Sequence, residues 1–148
     1  MSADQDSLSS LGRLGGVYVV VLRLQSARRV CVGALGEIEF RPGRYAYVGS
    51  ARNGLRARLR RHLRNDEKRL HWHVDYLRRF ARPTAVFVRE GERASECKLS
   101  QQVAAAADAS VKGFGCSDCR CASHLHRFAR PPGRRLQSLG GLRRLPVE

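Results

Sequence analysis

Hydrophobic residues in the first half of the chain follow the two-residue period and the short apolar runs that are typical of β-strands. Val17–Leu24 is rich in β-branched residues and follows a Gly-Gly pair, which predicts a buried central strand. Arg28–Leu35 alternates cationic and apolar residues, so we expect it to pair antiparallel with that strand. Glu37–Phe40 alternates again, and Tyr45–Val48 follows a Pro-Gly turn. The pattern therefore predicts a sheet that begins near residue 15.

The second half of the chain is dominated by the spacing of amphipathic helices. Leu55–Arg64 places three leucines on one stripe and arginines around the rest of the helix, and Leu70–Phe80 has a similar apolar face. Thr84–Arg89 is predicted to be an edge strand, Ala94–Ala107 a third helix, and Leu125–Phe128 a short final strand. Strands that precede helices in this way predict an α+β fold, a small and mostly antiparallel sheet flanked by helices.

The length of 148 residues predicts one domain with short flanks. We assign residues 15–130 to the domain, residues 1–14 to a flexible Ser-rich leader and residues 131–148 to a basic tail of low order, because the tail is rich in Pro, Gly and Arg. No basic segment precedes an apolar stretch at the start, and the apolar runs are too short for a membrane span. The five cysteines are an odd number, which favours a reducing compartment. The expected location is the cytoplasm, in association with the nucleoid.

The formal net charge of +15 is the compositional feature that bears most on function. Two arginine-rich stretches carry much of it, one from Arg52 to Arg64 without any acidic residue and one from Arg127 to the end of the chain. A solvated basic surface is one explanation, and contact with the phosphates of a nucleic acid is the one we favour. The residues predicted to bind nucleic acid are Ser50, Arg52, Arg56, Arg60, Arg61 and Arg64.

Two short motifs frame the predicted sheet, Gly16-Val17-Tyr18 at its start and Tyr47-Val48-Gly49 at its end. With Arg58, His62 and Glu96 further along, they resemble the motifs of the GIY-YIG nuclease superfamily. Three longer segments, at residues 45–51, 71–76 and 113–119, look like a stand-alone branch of that superfamily, long catalogued as a domain of unknown function and sometimes fused to endonuclease III-like glycosylases. The resemblance covers about residues 16–99.

The resemblance implies a metal-dependent DNA endonuclease that works in DNA repair on damaged, abasic or structured DNA, beside base-excision repair enzymes. It implies that Tyr18 positions the attacking water and the phosphate, and that Tyr47 is the candidate general base. Arg58 would stabilise the scissile phosphate, His62 would lie one turn later in the site, and Glu96 would hold a single Mg²⁺ or Mn²⁺ ion. A hard carboxylate ligand suits either ion, and hydrolysis of a phosphodiester needs such a cation near the developing charge.

The sequence departs from the superfamily in two places. The 28 residues of Val19–Ala46 between the motif tyrosines are more than most relatives have, which predicts an extra hairpin. The late asparagine of the superfamily has no clear counterpart, and Ser117 and Asp118 are the candidates for its place. The missing asparagine favours the alternative function, a non-catalytic nucleic-acid-binding module on the same scaffold.

Several further residues are candidates for positions beside the site. Gly49 would allow a close backbone approach where the strand ends. His71 and His73 lie about 200° apart on a regular helix, so they would not bind one metal together. His73 borders the apolar face, which favours a packed core histidine, with a place beside the cleft as the alternative.

The run Cys116-x-x-Cys119-x-Cys121-x-x-His124 has the residue types of a zinc site. It is tight for four ligands on one ion and lacks a second pair of cysteines, which disfavours zinc. Reduced thiols that shape a loop near the cleft are the favoured interpretation. A redox pair of Cys116 with Cys119 or with Cys121 is the remaining alternative.

Overall fold

A computed structural model describes residues 8, 11, 14–65, 69–91, 95–116 and 121–147. The strands are β1 (Leu14–Leu24), β2 (Arg28–Cys31), β3 (Glu37–Phe40), β4 (Gly43–Asn53), β5 (Arg82–Glu90), β6 (Ala109–Ser110), β7 (Leu125–Phe128) and β8 (Arg143–Leu145). The helices are α1 (Leu55–Leu63), α2 (His73–Arg78), α3 (Glu96–Ala106) and α4 (Gly133–Gln137). The structure confirms the α+β prediction, because helices flank a six-stranded antiparallel sheet of order β6-β7-β4-β1-β5-β8, and β2 and β3 form a separate hairpin.

The central strand β1 separates two hydrophobic cores because its side chains alternate between the faces of the sheet. Tyr18 and Val20 belong to one core, which the leucines of α1 complete. Val19 and Val21 belong to the other, together with Leu99 of α3. Burial on both faces explains why this strand is a nearly continuous apolar run.

The hairpin expected between the two motifs is confirmed as β2 and β3, but its relation to the sheet differs from the prediction. Arg28–Leu35 was expected to pair with β1, whereas only Arg28–Cys31 is a strand, and it pairs with β3. The pairing with β1 is wrong because β4 and β5, which are longer, occupy both edges of β1. Residues 33–35 instead form a single 3₁₀ turn.

The strand predicted at Thr84–Arg89 is not an edge strand. The observed strand is β5, which is longer than predicted, and β8 pairs with the edge of β5 that faces away from β1. Val86 pairs there with Leu145. The low order predicted for residues 131–148 is therefore also wrong, because α4 and β8 lie in this segment. Each element buries one leucine completely or nearly so, Leu136 in α4 and Leu145 in β8. Tertiary burial orders this segment despite its local composition.

Two described residues of the predicted flexible leader belong to the core. Leu8 and Leu11 are both buried, and the Arg56 guanidinium donates hydrogen bonds to the backbone carbonyls of both residues. These contacts attach Leu8 and Leu11 to α1.

The second helix is shorter than the predicted Leu70–Phe80, because it begins at His73. The Asp75 carboxylate accepts hydrogen bonds from the backbone N–H groups of His71 and Trp72, which defines the start of α2. His71 therefore lies before the helix.

Among the residues that the structure describes, no helix is long and apolar enough to cross a lipid bilayer.

Candidate active site

Tyr18 and Tyr47 lie on the same face of the sheet as diagonal neighbours, because Tyr18 pairs with Gly49 and Tyr47 pairs with Val20. Their ring centroids are 6.4 Å apart. The His62 ring from α1 lies 5.4 Å from the Tyr18 ring and 5.8 Å from the Tyr47 ring. A hydrogen bond of 2.8 Å joins the Tyr18 hydroxyl to His62 Nε2. These three side chains form one buried aromatic cluster.

Gly49 makes this arrangement possible by leaving space opposite Tyr18. A β-carbon at residue 49 would lie 2.4 Å from Cζ and from the hydroxyl oxygen of Tyr18. Real β-carbons do not approach a neighbour so closely, and the rigid ring has little room to move. The glycine of the second motif therefore determines where the tyrosine of the first motif lies.

The two phenols differ little in their electrostatic environment. Burial raises the pKa of the Tyr18 phenol above its ordinary value, and the nearby Arg58 charge opposes that effect only in part. Burial also raises the pKa of the Tyr47 phenol well above its ordinary value, with further contributions from Tyr18 and Glu96. Both phenols therefore hold their protons at neutral pH, and the Tyr18 hydroxyl can donate its hydrogen bond to His62.

Glu96 is the first residue of α3, and the Ser95 side chain caps this helix by accepting a hydrogen bond from the Lys98 N–H. One carboxylate oxygen of Glu96 accepts a hydrogen bond of 2.7 Å from Ser50 Oγ. The other lies 2.8 Å from His124 Nδ1. Burial alone would raise the pKa of Glu96, but the hydrogen bonds from His124 and Ser50 outweigh it and lower the pKa below its usual value. The carboxylate is therefore charged at neutral pH, and its side chain remains 29% exposed.

Ser50 links this carboxylate to the arginine of α1. Its hydroxyl donates to Glu96, and its backbone carbonyl accepts a hydrogen bond of 3.1 Å from the Arg58 guanidinium. The same guanidinium lies over the Trp72 ring, 4.4 Å from the ring centroid. A cation held on an aromatic face and by a carbonyl has few alternative orientations. Arg58 is thus directed toward the end of the sheet where Glu96 lies.

The structure brings the five predicted catalytic residues together at one end of the sheet, where Ser50 and Gly49 also lie. Tyr18, Tyr47 and His62 form the buried side of this group, and Arg58 and Glu96 form the side nearer to solvent. The predicted site-adjacent His73 lies behind this group, where its Nδ1 accepts a hydrogen bond from the Gly115 N–H and its ring packs against Phe114. Ser117, Asp118 and Cys119 lie outside the described residues.

The arginines predicted to bind nucleic acid divide into two groups. Arg56 binds the backbone carbonyls of Leu8 and Leu11, and Arg61 forms an ion pair of 2.8 Å with the buried Asp75 carboxylate, so both have internal roles. Arg52, Arg60 and Arg64 have exposed side chains. Ser50 belongs to the carboxylate group described above. Only part of the predicted set is therefore available to a ligand.

Further arginines surround a cavity of about 850 Å³ on the face of the sheet opposite to the tyrosines. The cavity lies between the sheet and the segment around α4, and Val21 and Ala85 form part of its wall. Its arginines are Arg23, Arg44, Arg130, Arg134, Arg135 and Arg144. The basic C-terminal stretch thus faces a different side of the molecule from α1.

Sequence reasoning missed two neighbours of the candidate site. Trp72 is not among the predicted site residues, yet it supports Arg58. His124 was considered only as a zinc ligand, yet it contacts Glu96. Its Nε2 also lies 3.9 Å from Cys97 Sγ, and the ligand atoms of Cys97, Cys121 and His124 all lie within 4.8 Å of one another. No local pattern reveals these contacts, because residues 97 and 124 are distant in sequence.

The chain was compared with protein-family models, with curated proteins and with solved structures. Neither the curated proteins nor the solved structures contain a significant match. One family model, described as a domain of unknown function, DUF123, matches residues 17–140. Since this segment contains the whole candidate site and most of the chain, the protein belongs to the DUF123 family.

Proposed function

We propose that this protein is a metal-dependent DNA endonuclease that hydrolyses phosphodiester bonds. One observation carries the proposal: a charged carboxylate, an oriented guanidinium and a hydrogen-bonded Tyr–His pair meet at one end of the sheet. Ser50 joins the carboxylate to the guanidinium through its contacts with Glu96 and with Arg58. The resemblance to the GIY-YIG superfamily supports the same assignment. An enzyme of this kind would act in the cytoplasm, in association with the nucleoid.

The residues fit a hard divalent cation. The Glu96 carboxylate is charged, is held by two hydrogen-bond donors and is partly exposed, and Mg²⁺ prefers a site with few carboxylates and room for water and a substrate phosphate. A bound Mg²⁺ or Mn²⁺ ion would supply charge stabilisation for a phosphate oxygen and the leaving group. Ser50 and His124 keep the carboxylate in one orientation.

Arg58 provides the second cationic group. Its stacking on Trp72 and its bond to the Ser50 carbonyl leave the planar guanidinium oriented for contact with a phosphate oxygen. A preoriented cation needs little reorganisation when negative charge develops. Arg58 therefore binds the scissile phosphate in this proposal.

The attacking water must lose a proton, and Tyr47 is the candidate acceptor. Tyr47 can act as general base only where a neighbouring cation stabilises its phenolate form, since burial raises its pKa. The Tyr18–His62 hydrogen bond provides a neighbouring pair through which a proton can move. We assign Tyr18 to positioning of the water and the phosphate, as the resemblance implies.

The proposed substrate class is damaged or structured DNA, in agreement with the glycosylase fusions among the proteins that the chain resembles. The test incubates the protein with labelled intact, nicked, flapped and abasic duplexes in Mg²⁺, in Mn²⁺ and in chelator. We expect cleavage of at least one substrate that requires the divalent ion. Absence of cleavage on every substrate in both ions would overturn the proposal.

A non-catalytic nucleic-acid-binding module is the second candidate. The arginine-lined cavity favours it, because it places a large cationic surface away from the candidate active site. Such a protein would bind the same duplexes and show no metal-dependent turnover. The cleavage assay therefore separates the two candidates directly.

The exposed arginines of α1 lead to a prediction on binding. Arg60→Gln is expected to weaken binding to all duplex sequences alike and to reduce the slope of log K against log salt by about 0.9, the value for one lost phosphate contact. Fluorescence anisotropy over a salt series measures the slope. Arg29→Gln is the matched control, because Arg29 is exposed on the hairpin and does not line the arginine-rich cavity. An equal change in both variants would show that net charge, and not a contact at α1, controls binding.

A further inference from the structure

Two thiols and one imidazole converge beside the candidate active site. Cys97 lies in the first turn of α3, and Cys121 and His124 lie in the segment that precedes β7. The ligand atoms of all three lie within 4.8 Å of one another, and Cys97 Sγ is 3.9 Å from His124 Nε2. Two zinc–ligand bonds of about 2.0–2.3 Å in a tetrahedral arrangement separate the ligand atoms by roughly 3.5–3.8 Å. The side chains therefore need only small movements to bind one ion.

The environment of His124 orients its ring for metal binding. Nδ1 lies 2.8 Å from the Glu96 carboxylate and 3.2 Å from the Val48 carbonyl oxygen. Both neighbours accept hydrogen bonds, so Nδ1 carries a proton, and Nε2, which lies on the side of Cys97, is the ring nitrogen that can bind a metal. A carboxylate that binds the far nitrogen of a histidine is the usual outer-sphere support of a zinc ligand. The Glu96–His124 contact has this geometry.

The ligand types select the metal. Thiolate sulfur and imidazole nitrogen suit Zn²⁺, whereas Mg²⁺ and Mn²⁺ prefer oxygen. His124 is 1% exposed and both thiols are partly buried, so the set lies below the surface. Cys116 has a different contact, since its thiol donates to the Phe114 carbonyl oxygen at 3.4 Å.

We propose that Cys97, Cys121 and His124 bind one Zn²⁺ ion and supply three of its four ligands. Binding releases the two thiol protons to solvent. The ion would join the start of α3 to the segment before β7 and so hold His124 against Glu96. The proposal goes beyond the nuclease function and does not depend on it. It also replaces the ligand set considered from sequence, because Cys97 comes from a distant helix.

The test measures metal binding without DNA. Protein freed of metal with a chelator is titrated with Zn²⁺ and, separately, with Co²⁺, whose thiolate charge-transfer absorption reports sulfur ligands. We expect about one ion per chain with Co²⁺–thiolate bands. Cys97→Ser and Cys121→Ser should lose these bands, whereas Cys31→Ser, which changes an exposed cysteine of the hairpin, should keep them. Full binding by Cys97→Ser would overturn the proposal.

Two further measurements test the proposal if a cysteine variant does not fold. In the wild-type protein, Zn²⁺ should protect two thiols from a thiol reagent under native conditions. If the thiol reagent detects fewer thiols in the metal-free protein, and a reductant restores them, the cysteines form a disulfide. This result would overturn the proposal. Glu96→Gln should retain the Co²⁺–thiolate bands with affinity for the ion reduced about 10- to 100-fold, because it weakens the support of His124. Unchanged affinity would contradict the assigned histidine orientation.

Discussion

Replacing Glu96 by glutamine is expected to lower the rate of metal-dependent DNA cleavage by about 10³-fold, the effect of losing one main electrostatic group from a phosphoryl or acyl transfer site. The substitution removes the charged oxygen ligand, while an amide still accepts and donates hydrogen bonds at the positions of Ser50 and His124. DNA binding should not weaken, since the loss of a carboxylate reduces repulsion of phosphate. Single-turnover cleavage and anisotropy titration measure the two effects separately.

The control for this experiment is Glu39→Gln, the same chemical change at an exposed position on the hairpin. It should cleave at the wild-type rate. Both variants are assayed with saturating Zn²⁺ as well as Mg²⁺, so that a weaker zinc site does not affect the comparison. Cleavage by Glu96→Gln at the rate of Glu39→Gln would remove Glu96 from the mechanism.

The second large effect is expected on stability, at Asp75. Its carboxylate side chain is 1% exposed, and it pairs with Arg61 at 2.8 Å. It also accepts hydrogen bonds of 2.9 Å from the backbone N–H groups of His71 and Trp72. Asp75→Ala should lower the free energy of unfolding by about 3 kcal/mol. This value is near the lower end of the range for breaking a buried ion pair, because Arg61 retains some contact with solvent.

Chemical denaturation at neutral pH measures this loss, and two variants define its origin. Asp75→Asn keeps an acceptor for the backbone donors and should lose less. Glu37→Ala removes a surface pair with Arg29 whose side chains are 62% and 72% exposed, so its effect should stay below about 1 kcal/mol. A loss at Asp75→Ala as small as that at Glu37→Ala would contradict the assigned role.

The pH dependence of the Asp75 effect follows from its hydrogen bonds. Burial raises the pKa of the carboxyl group, but the donors from Trp72, His71 and Arg61 outweigh it, so the pKa lies below its usual value of 3.8. The unfolded chain therefore takes up the proton first as the pH falls. The stabilisation is complete at neutral pH, and the difference between wild type and Asp75→Ala should shrink as the pH falls below 3.8.

Loss of Asp75 should also affect the candidate site. Asp75 anchors the backbone at Trp72, and the Trp72 ring supports the Arg58 guanidinium. The support passes through the Trp72 side chain, so Asp75 positions Arg58 indirectly. This connection explains why a residue outside the predicted catalytic set belongs to the structural basis of the site.

The local hydrophobic pattern predicted most of the strands and helices, but it did not predict which strands pair. The apolar run Val17–Leu24 indicates by itself that the strand is buried, because a strand covered on both faces needs apolar side chains on both. Which strand lies next to it depends on competition for its edges, and β4 and β5 exclude the hairpin by forming longer ladders. Short elements such as β8 bury a single leucine, which leaves too weak a periodic signal to detect.

The sequence by itself determined the α+β class and the extra hairpin, since these depend on periodicity, and its short motifs supplied the candidate site residues through their resemblance to a nuclease superfamily. Only the tertiary structure decided that Ser50 joins Glu96 to Arg58, that Trp72 supports Arg58, and that His124 lies between Glu96 and Cys97. The physical reason is that these contacts join separate elements. Their distances are set by the packing of α1 and α3 on opposite faces of one sheet, which no local stretch of sequence encodes.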